Sequence, residues 1–302
     1  MSRKIALGAM MFGWKVSLID ALKITDTAIE NGIDIVDTSP SYGNGLSEII
    51  CGHLINKYPN IKISTKFSLP TNISMDELQN FIIKSCYESL TRLSSEKLNI
   101  YVLHNDLNIP DIDMLCDTIL LLKDKKIIEN FFISNTTLNT YSSIKDFEIK
   151  NRVSIIDGAQ LKKNILFTDS IFHKVTKGCI EKVFTYSPLC EGVLTGKYLS
   201  SKLPHNSRLS QVTRHSTYYE KLLSAEITEK VLLAKNQAEN KKLSLVEYSY
   251  IKLFSSKLID KVIIGPSKLK HLKEAIRCEE LSNQLHSRTD NTRTHINVTL
   301  CS

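Results

Sequence analysis

The 302-residue chain reads as an α/β protein, a single-domain (β/α)8 TIM barrel, on three observations. Short β-branched runs alternate with longer amphipathic stretches along the chain, which implies a parallel sheet with helices outside it. Eight strand candidates fall within the first 265 residues, a spacing that suits a closed barrel better than an open sheet. The first strand runs into GAMMFGW, where an open dinucleotide-binding sheet would carry a GxGxxG turn.

In order, the strand candidates are Ile5–Ala9, Ile33–Asp37, Ile61–Lys66, Leu98–His104, Ile128–Ile133, Ile155–Gln160, Ile180–Tyr186 and Lys261–Gly265. Helical periodicity between them is clearest in Ser17–Asn31, Ser74–Leu93, Ile112–Lys125 and Ser244–Ser256. In Ser74–Leu93 apolar residues recur at Leu78, Phe81, Ile82 and Leu90, and Ser74 with Glu77 makes a capping box. The long segment after Tyr186 opens with SPLCEGVLTGKYLSSKLPHNSRLSQVTRHS, a loop-like stretch of the kind that closes over ligands. Residues 1–282 are expected to form the barrel. The stretch 283–302, polar, rich in Thr and Asn and without periodicity, is expected to be a loosely ordered tail.

Composition narrows the function classes. Hydrophobic residues make up 42% and charged residues 24%, and no apolar run approaches the roughly 20 residues that span a bilayer. The start, MSRKIALGAMMFGWK, has no cleavage-type site after its short apolar stretch, so a secretory leader is not expected. Seven scattered cysteines with no CxxC pair argue against a disulfide framework or a zinc site, and for reduced thiols in a cytoplasm. The charge of +7 is spread along the chain. Its tightest cluster, Lys123, Lys125 and Lys126, suits a helix C-terminus, so no nucleic-acid partner is expected.

In such a barrel the functional groups stand at the C-terminal ends of the strands. Asp37 ends the second strand, with Tyr42 in the loop behind it; Lys66 ends the third and His104 the fourth. A lysine aimed into the barrel mouth needs a partner, and Asp37 is the natural one. A cation beside a phenol favours the phenolate and lowers the tyrosine pKa from about 10, which makes the phenol a usable general acid. His104 offers a ring N–H to a carbonyl oxygen. A lone strand-end His or an Asp–Lys pair also serves stability, but the combination at neighbouring strand ends argues for chemistry.

The segment DIVDTSPSYGNGLSEIICGHL resembles the signature of the aldo-keto reductases: Asp-Thr, a short spacer, Tyr-Gly, then Ser-Glu and Gly. ISTKF, SLTRLSSEKLNIYVLHND, ISN, GAQLKKN, YSPLCEGVLTGKY and IIGPSKLKHLKEAI follow in the family's order, so the resemblance covers residues 5 to about 278. The chain is similar to the short bacterial members of that family. The resemblance implies that Asp37, Tyr42, Lys66 and His104 form a catalytic tetrad, with Tyr42 as proton donor, Lys66 and Asp37 tuning it, and His104 orienting a carbonyl.

The same resemblance implies an NADP site, and the residue types suit it. Ser134, Asn135 and Gln160 supply the donors and acceptors a nicotinamide carboxamide requires, and Tyr186 offers a ring for stacking. Ser187, Leu189 and Gly192 begin the loop that closes over a pyrophosphate in the family. Gly265, Ser267 and Lys268 open a helix whose N-terminus attracts phosphate; Lys268 adds a charge for the 2′-phosphate of NADP, and His271 lies toward the adenosine end. Ala275 stands where the family often has an Asn, which lowers the expected cofactor affinity. Ser39 replaces a small spacer residue.

Phe12 and Trp14, after the first strand, and Asn105, after His104, are expected to line the substrate pocket. No metal is expected, since neither HExxH nor a Cys–His cluster occurs. The partner is a small-molecule carbonyl: an aldehyde, a ketone, or a sugar. Two rival readings are a sugar or polyol dehydrogenase working oxidatively, and a cofactor-binding regulatory subunit with little turnover.

Overall fold

Eight parallel strands close on one another in chain order. They are β1 (Ile5–Gly8), β2 (Ile35–Asp37), β3 (Lys62–Phe67), β4 (Leu98–Leu103), β5 (Ile128–Ser134), β6 (Gly158–Lys162), β7 (Lys182–Tyr186) and β8 (Lys261–Ile264). β8 pairs back onto β1 with Ile5 opposite Val262, which shuts the barrel. This computed structural model describes residues 3–298 except 108, 178–179, 201–202, 206 and 211–216, with side chains as far as 285.

The helices that alternate with the first strands begin where the sequence supplies caps. α1 (Leu18–Glu30) starts on Ser17, whose Oγ accepts from the Asp20 N–H at 3.2 Å. After α2 (Leu46–Lys57), the helix α3 (Met75–Leu93) has the Ser74–Glu77 capping box. α4 (Ile112–Asp124) is capped by Asp111, and α5 (Leu138–Asn151) by Thr137. These side chains satisfy N–H groups that a helix start leaves without intrahelical partners. A short α6 (Phe172–Lys177) follows β6.

All eight expected strands are present, and two differ instructively at their starts. β6 was expected from Ile155 and begins at Gly158. The Glu148 carboxylate accepts from the N–H groups of Ile155 and Ile156 at 2.7 and 2.8 Å, so a side chain takes the donors that a ladder would use. β2 begins at Ile35, because the Ile33 N–H is held by the Ala28 carbonyl at the end of α1.

The chain divides into two compact units. The first comprises Met1–Lys162, Asp169–Tyr186 and Asp260–Leu272 and holds every strand. Its interior is packed with Ala6, Ile35, Ile100, Val102, Phe132, Phe184 and Ile263. Each such large side chain contributes about 1.5–3 kcal/mol on burial. Gly158 leaves room for this filling, since a Cβ there would collide with the Phe132 ring.

The second unit comprises Lys163–Thr168, Ser187–Ile259 and Lys273–Ser302. It contains α7 (Thr217–Leu222), α8 (Ala225–Glu239), α9 (Leu245–Phe254) and most of α10 (Leu269–Val298). Its own core gathers Cys190, Val193, Leu194, Leu222, Ile227 and Val231. α10 runs through the stretch 283–298 that composition marks as a tail; residues 299–302 lie outside the described part.

Candidate active site

Side chains alternate between the two faces of a strand, so residues two apart share a face. Ile35, Val102, Phe132 and Phe184 fill the barrel interior. Two positions further along the chain stand Asp37, His104, Ser134 and Tyr186. Lys66 on β3 and Gln160 on β6 join this upper tier. The apolar tier thus carries a polar one at the C-terminal end of the barrel, where barrel enzymes place their chemistry.

Asp37 and Lys66 are both buried and paired, with Lys66 Nζ donating to Asp37 Oδ2 at 2.7 Å and to the Thr38 carbonyl at 2.6 Å. Tyr42 is a further hydrogen-bond partner of Lys66, whose Nζ lies 5.0 Å from the phenol ring centroid. The Tyr42–Gly45 turn brings the ring there through left-handed residues Gly43, Asn44 and Gly45, at φ 58°, 53° and 87°. His104 follows β4 and faces the same phenol edge-on, with ring centroids 6.2 Å apart. Asp37, Lys66 and His104, expected at the strand ends, and Tyr42, expected in the loop behind the second strand, therefore meet.

The electrostatics follow from this packing. Burial disfavours the Lys66 ammonium, but the Asp37 carboxylate and then Tyr42 outweigh it, and Lys66 is held above the ordinary lysine value. His104 is pushed down to about 4, by burial first and by the Lys66 charge second, against the opposing pull of Asp37. Its imidazole is neutral at physiological pH, with one ring nitrogen a donor and the other an acceptor. A buried ammonium beside a phenol, next to a neutral imidazole, can supply a proton and a hydrogen bond to one oxygen atom.

The expected carboxamide residues divide into two kinds. Gln160 is buried and gives Nε2 to Asp37 Oδ1 at 2.7 Å and to Ser64 Oγ at 3.0 Å. Its Oε1 has no donor among the described residues, and the Ser134 hydroxyl donates to none of them. An acceptor and a donor are what a carboxamide NH2 and C=O need, so this pair fits the group. Asn135 instead spends its amide on the protein. Its Nδ2 donates to the His104 carbonyl at 2.7 Å and to Ser134 Oγ at 3.3 Å, while Oδ1 accepts from the Tyr186 hydroxyl at 2.6 Å. It is a strut between His104 and Tyr186, held at φ 48°.

Gly265 and Ser267 lie between β8 and α10, where Ser267 Oγ meets His271 Nδ1 at 3.2 Å and Lys268 is exposed. In the second unit, Ser187 and Gly192 have φ of 54° and 89°, and Leu189 packs against the local core. The loop is organised by Glu191, which sequence reasoning did not single out. Glu191 accepts from Ser187 Oγ at 2.9 Å and from Arg208 Nη1 at 2.7 Å. Cys190, Glu191 and Gly192 are three left-handed residues in a row, a conformation no periodicity announces.

Phe12 is fully buried and presents no surface. Trp14 is 51% exposed and borders a groove of about 550 Å³ with Leu18, Leu46, Ile49 and His53. Asn105 Nδ2 reaches Ser68 Oγ at 3.4 Å, and its Oδ1 is buried without a partner among the described residues. Asp106, beside it, accepts from the Thr137 N–H at 2.6 Å at the start of α5. Among the described residues no group of three His, Cys, Asp or Glu is placed to hold a metal, and no helix is long and apolar enough to cross a membrane.

Comparison with known proteins identifies the family. The model of the Aldo/keto reductase family matches residues 4–293. The chain is 30% identical over 218 residues to a chloroplastic pyridoxal reductase of Arabidopsis thaliana, covering 66% of this chain and 58% of that protein. It is 26% identical over 208 residues to an NADH-specific methylglyoxal reductase of Escherichia coli (strain K12), with 62% and 63% covered. The match thus spans less than two thirds of either relative. The structure of a glycerol dehydrogenase, AKR11B4, from Gluconobacter oxydans superposes with a TM-score of 0.70 at 20% identity, covering 94% of this chain and 91% of that one. At that identity the likeness is one of fold.

Proposed function

The chain belongs to the aldo/keto reductase family, and from that premise we propose that it is an NADPH-dependent reductase of small aldehydes, ketones or sugars. The observation that carries this reading is the Lys66 ammonium shared between Asp37, the Thr38 carbonyl and Tyr42, with His104 facing the same phenol.

The nicotinamide, when bound, supplies the hydride that reduces the carbonyl carbon. The chain supplies the rest. Tyr42 gives its hydroxyl proton to the carbonyl oxygen, and the Lys66 charge stabilises the phenolate left behind. Asp37 keeps that charge in place, and the neutral His104 donates a hydrogen bond that orients the oxygen. Ser134 and Gln160 would hold the carboxamide, and Tyr186, its hydroxyl braced by Asn135, would offer its ring to the nicotinamide. Ser187, Leu189 and Gly192 would cover the pyrophosphate, and Gly265, Ser267, Lys268 and His271 would take the adenosine end, with Lys268 supplying the charge for a 2′-phosphate. Trp14 and Asn105 stand on loops that would meet the substrate, whereas Phe12 is buried and offers it no surface. The five described cysteines are buried and free, which suits a reducing cytoplasm.

Loss of NADPH absorbance, followed with a panel of aldehydes, ketones and sugars, tests the reading, with NADH run in parallel. Tyr42→Phe should lower turnover by about 100-fold or more while the cofactor still binds. Cofactor binding without turnover on any carbonyl would move the assignment to a regulatory subunit. Failure to bind either dinucleotide would overturn it.

A further inference from the structure

Ser64 lies two residues before Lys66 on the same face of β3, among the side chains that fill the barrel, and is fully buried. It pairs across the sheet with Asp37 on one side and Ile100 on the other. A hydroxyl in such surroundings is costly unless hydrogen-bonded, and an alanine would pack there as well. This hydroxyl is fully used. It donates to Asp37 Oδ1 at 2.8 Å and accepts from Gln160 Nε2 at 3.0 Å, while Gln160 also donates to Asp37 Oδ1 at 2.7 Å.

The three groups form a closed triangle whose polarity is fixed. Asp37 only accepts, so the serine proton must point at it and the serine lone pair at Gln160. Both amide protons of Gln160 are then consumed inside the barrel, and its Oε1 is turned away from Asp37. With Oδ1 held by two donors, Asp37 presents Oδ2 to Lys66 at 2.7 Å.

We infer that Ser64 is a positioning residue for this reductase, holding Asp37 against Lys66 and fixing the outward orientation of the Gln160 carbonyl toward the cofactor. The inference rests on the reductase reading above. It joins two functions that otherwise belong to separate residues: the charge that tunes Tyr42 and the acceptor that seats the carboxamide.

The consequence is measurable through Lys66. The titratable groups around its ammonium are Asp37 from β2, Tyr42 from the following turn and His104 from the end of β4. Cys51 of α2 feels the Glu48 and Asp37 charges, but burial first of all pushes its thiol up to about 12 and leaves it neutral. Asp37 is the strongest of the groups that keep Lys66 charged. Loosening Asp37 should let Lys66 lose its proton at lower pH, and the alkaline limb of kcat should move down with it.

The test compares wild type with Ser64→Ala and Ser64→Cys, the second a slightly larger side chain with a weak donor in place of the hydroxyl. The kcat–pH profile, the NADPH Kd and the melting temperature are measured for each. The expected result is an alkaline limb lowered by about half a pH unit or more, kcat reduced about tenfold, and NADPH binding several-fold weaker. An alkaline limb and an NADPH Kd matching wild type in the folded variants would overturn the role of Ser64 while leaving the reductase reading intact. If Ser64→Ala fails to fold, the Ser64→Cys profile decides alone. Should wild type bind NADPH but reduce no carbonyl, an unchanged Kd in the variants overturns the inference and a weakened one sustains its cofactor arm. A wild type that binds no dinucleotide sinks both readings.

Discussion

The imidazole of His104 stands edge-on to the phenol of Tyr42, with ring centroids 6.2 Å apart and planes inclined at 82°. The contact depends on a neutral imidazole. Burial and the Lys66 ammonium keep His104 uncharged, since an imidazolium there would be both desolvated and repelled.

That neutrality is a stability statement. The folded value, about 4, lies below the ordinary 6.5, so the unfolded chain takes up the proton first as pH falls. The stabilisation is fully present above pH 6.5 and is lost as pH drops toward 4. Thermal melts should show wild type losing stability across this window more steeply than His104→Gln. A constant difference between the two proteins from pH 6.5 to 4 would show that His104 is not held neutral.

Lys268 is exposed just before α10 and makes none of the ion pairs found among the described residues. If it meets the 2′-phosphate, Lys268→Ala should weaken NADPH binding about tenfold, the loss of one charge-assisted contact. NADH binding should be unchanged, because NADH carries no such phosphate. Fluorescence titration of both cofactors reads the difference, and equal weakening of the two would assign Lys268 to another part of the site.

The upper tier of the barrel was legible because a period of two and a barrel topology together dictate it. Asp37, Lys66, His104 and Gln160 each end an expected strand and Ser134 directly follows one, so their convergence follows from the fold. Ser64 was not legible. In ISTK it looks like an ordinary small strand residue, and its bond to Gln160 joins positions 96 apart in sequence. The strut made by Asn135 depends on a φ of 48°, and the Glu191 loop on consecutive left-handed residues. Such conformations leave no pattern when the residues are not glycine. The start of β6 was hidden for a related reason: Glu148, a charged helix residue, turns inward to take two backbone donors.

Glu48, near the start of α2, is fully buried, with Oε1 accepting from Thr65 Oγ1 at 2.6 Å and Oε2 from Arg92 Nε at 2.6 Å. Arg92, at the end of α3, also packs against Gly45, where a Cβ would come within 2.9 Å of its Cδ. Gly45 ends the turn that carries Tyr42, so one ion pair ties α2, α3 and that turn together. Arg92 is partly exposed, but removing it leaves the fully buried Glu48 carboxylate uncompensated, which costs about 3–5 kcal/mol. Arg92→Leu should therefore lower the melting temperature by roughly 5–8 °C, at about 1.6 °C per kcal/mol for a chain of 302 residues. Replacing both members removes the orphaned charge as well, so Arg92→Leu combined with Glu48→Leu should recover much of the loss. A double variant as unstable as the single would mean that Arg92 acts through packing against Gly45, with its charge playing little part.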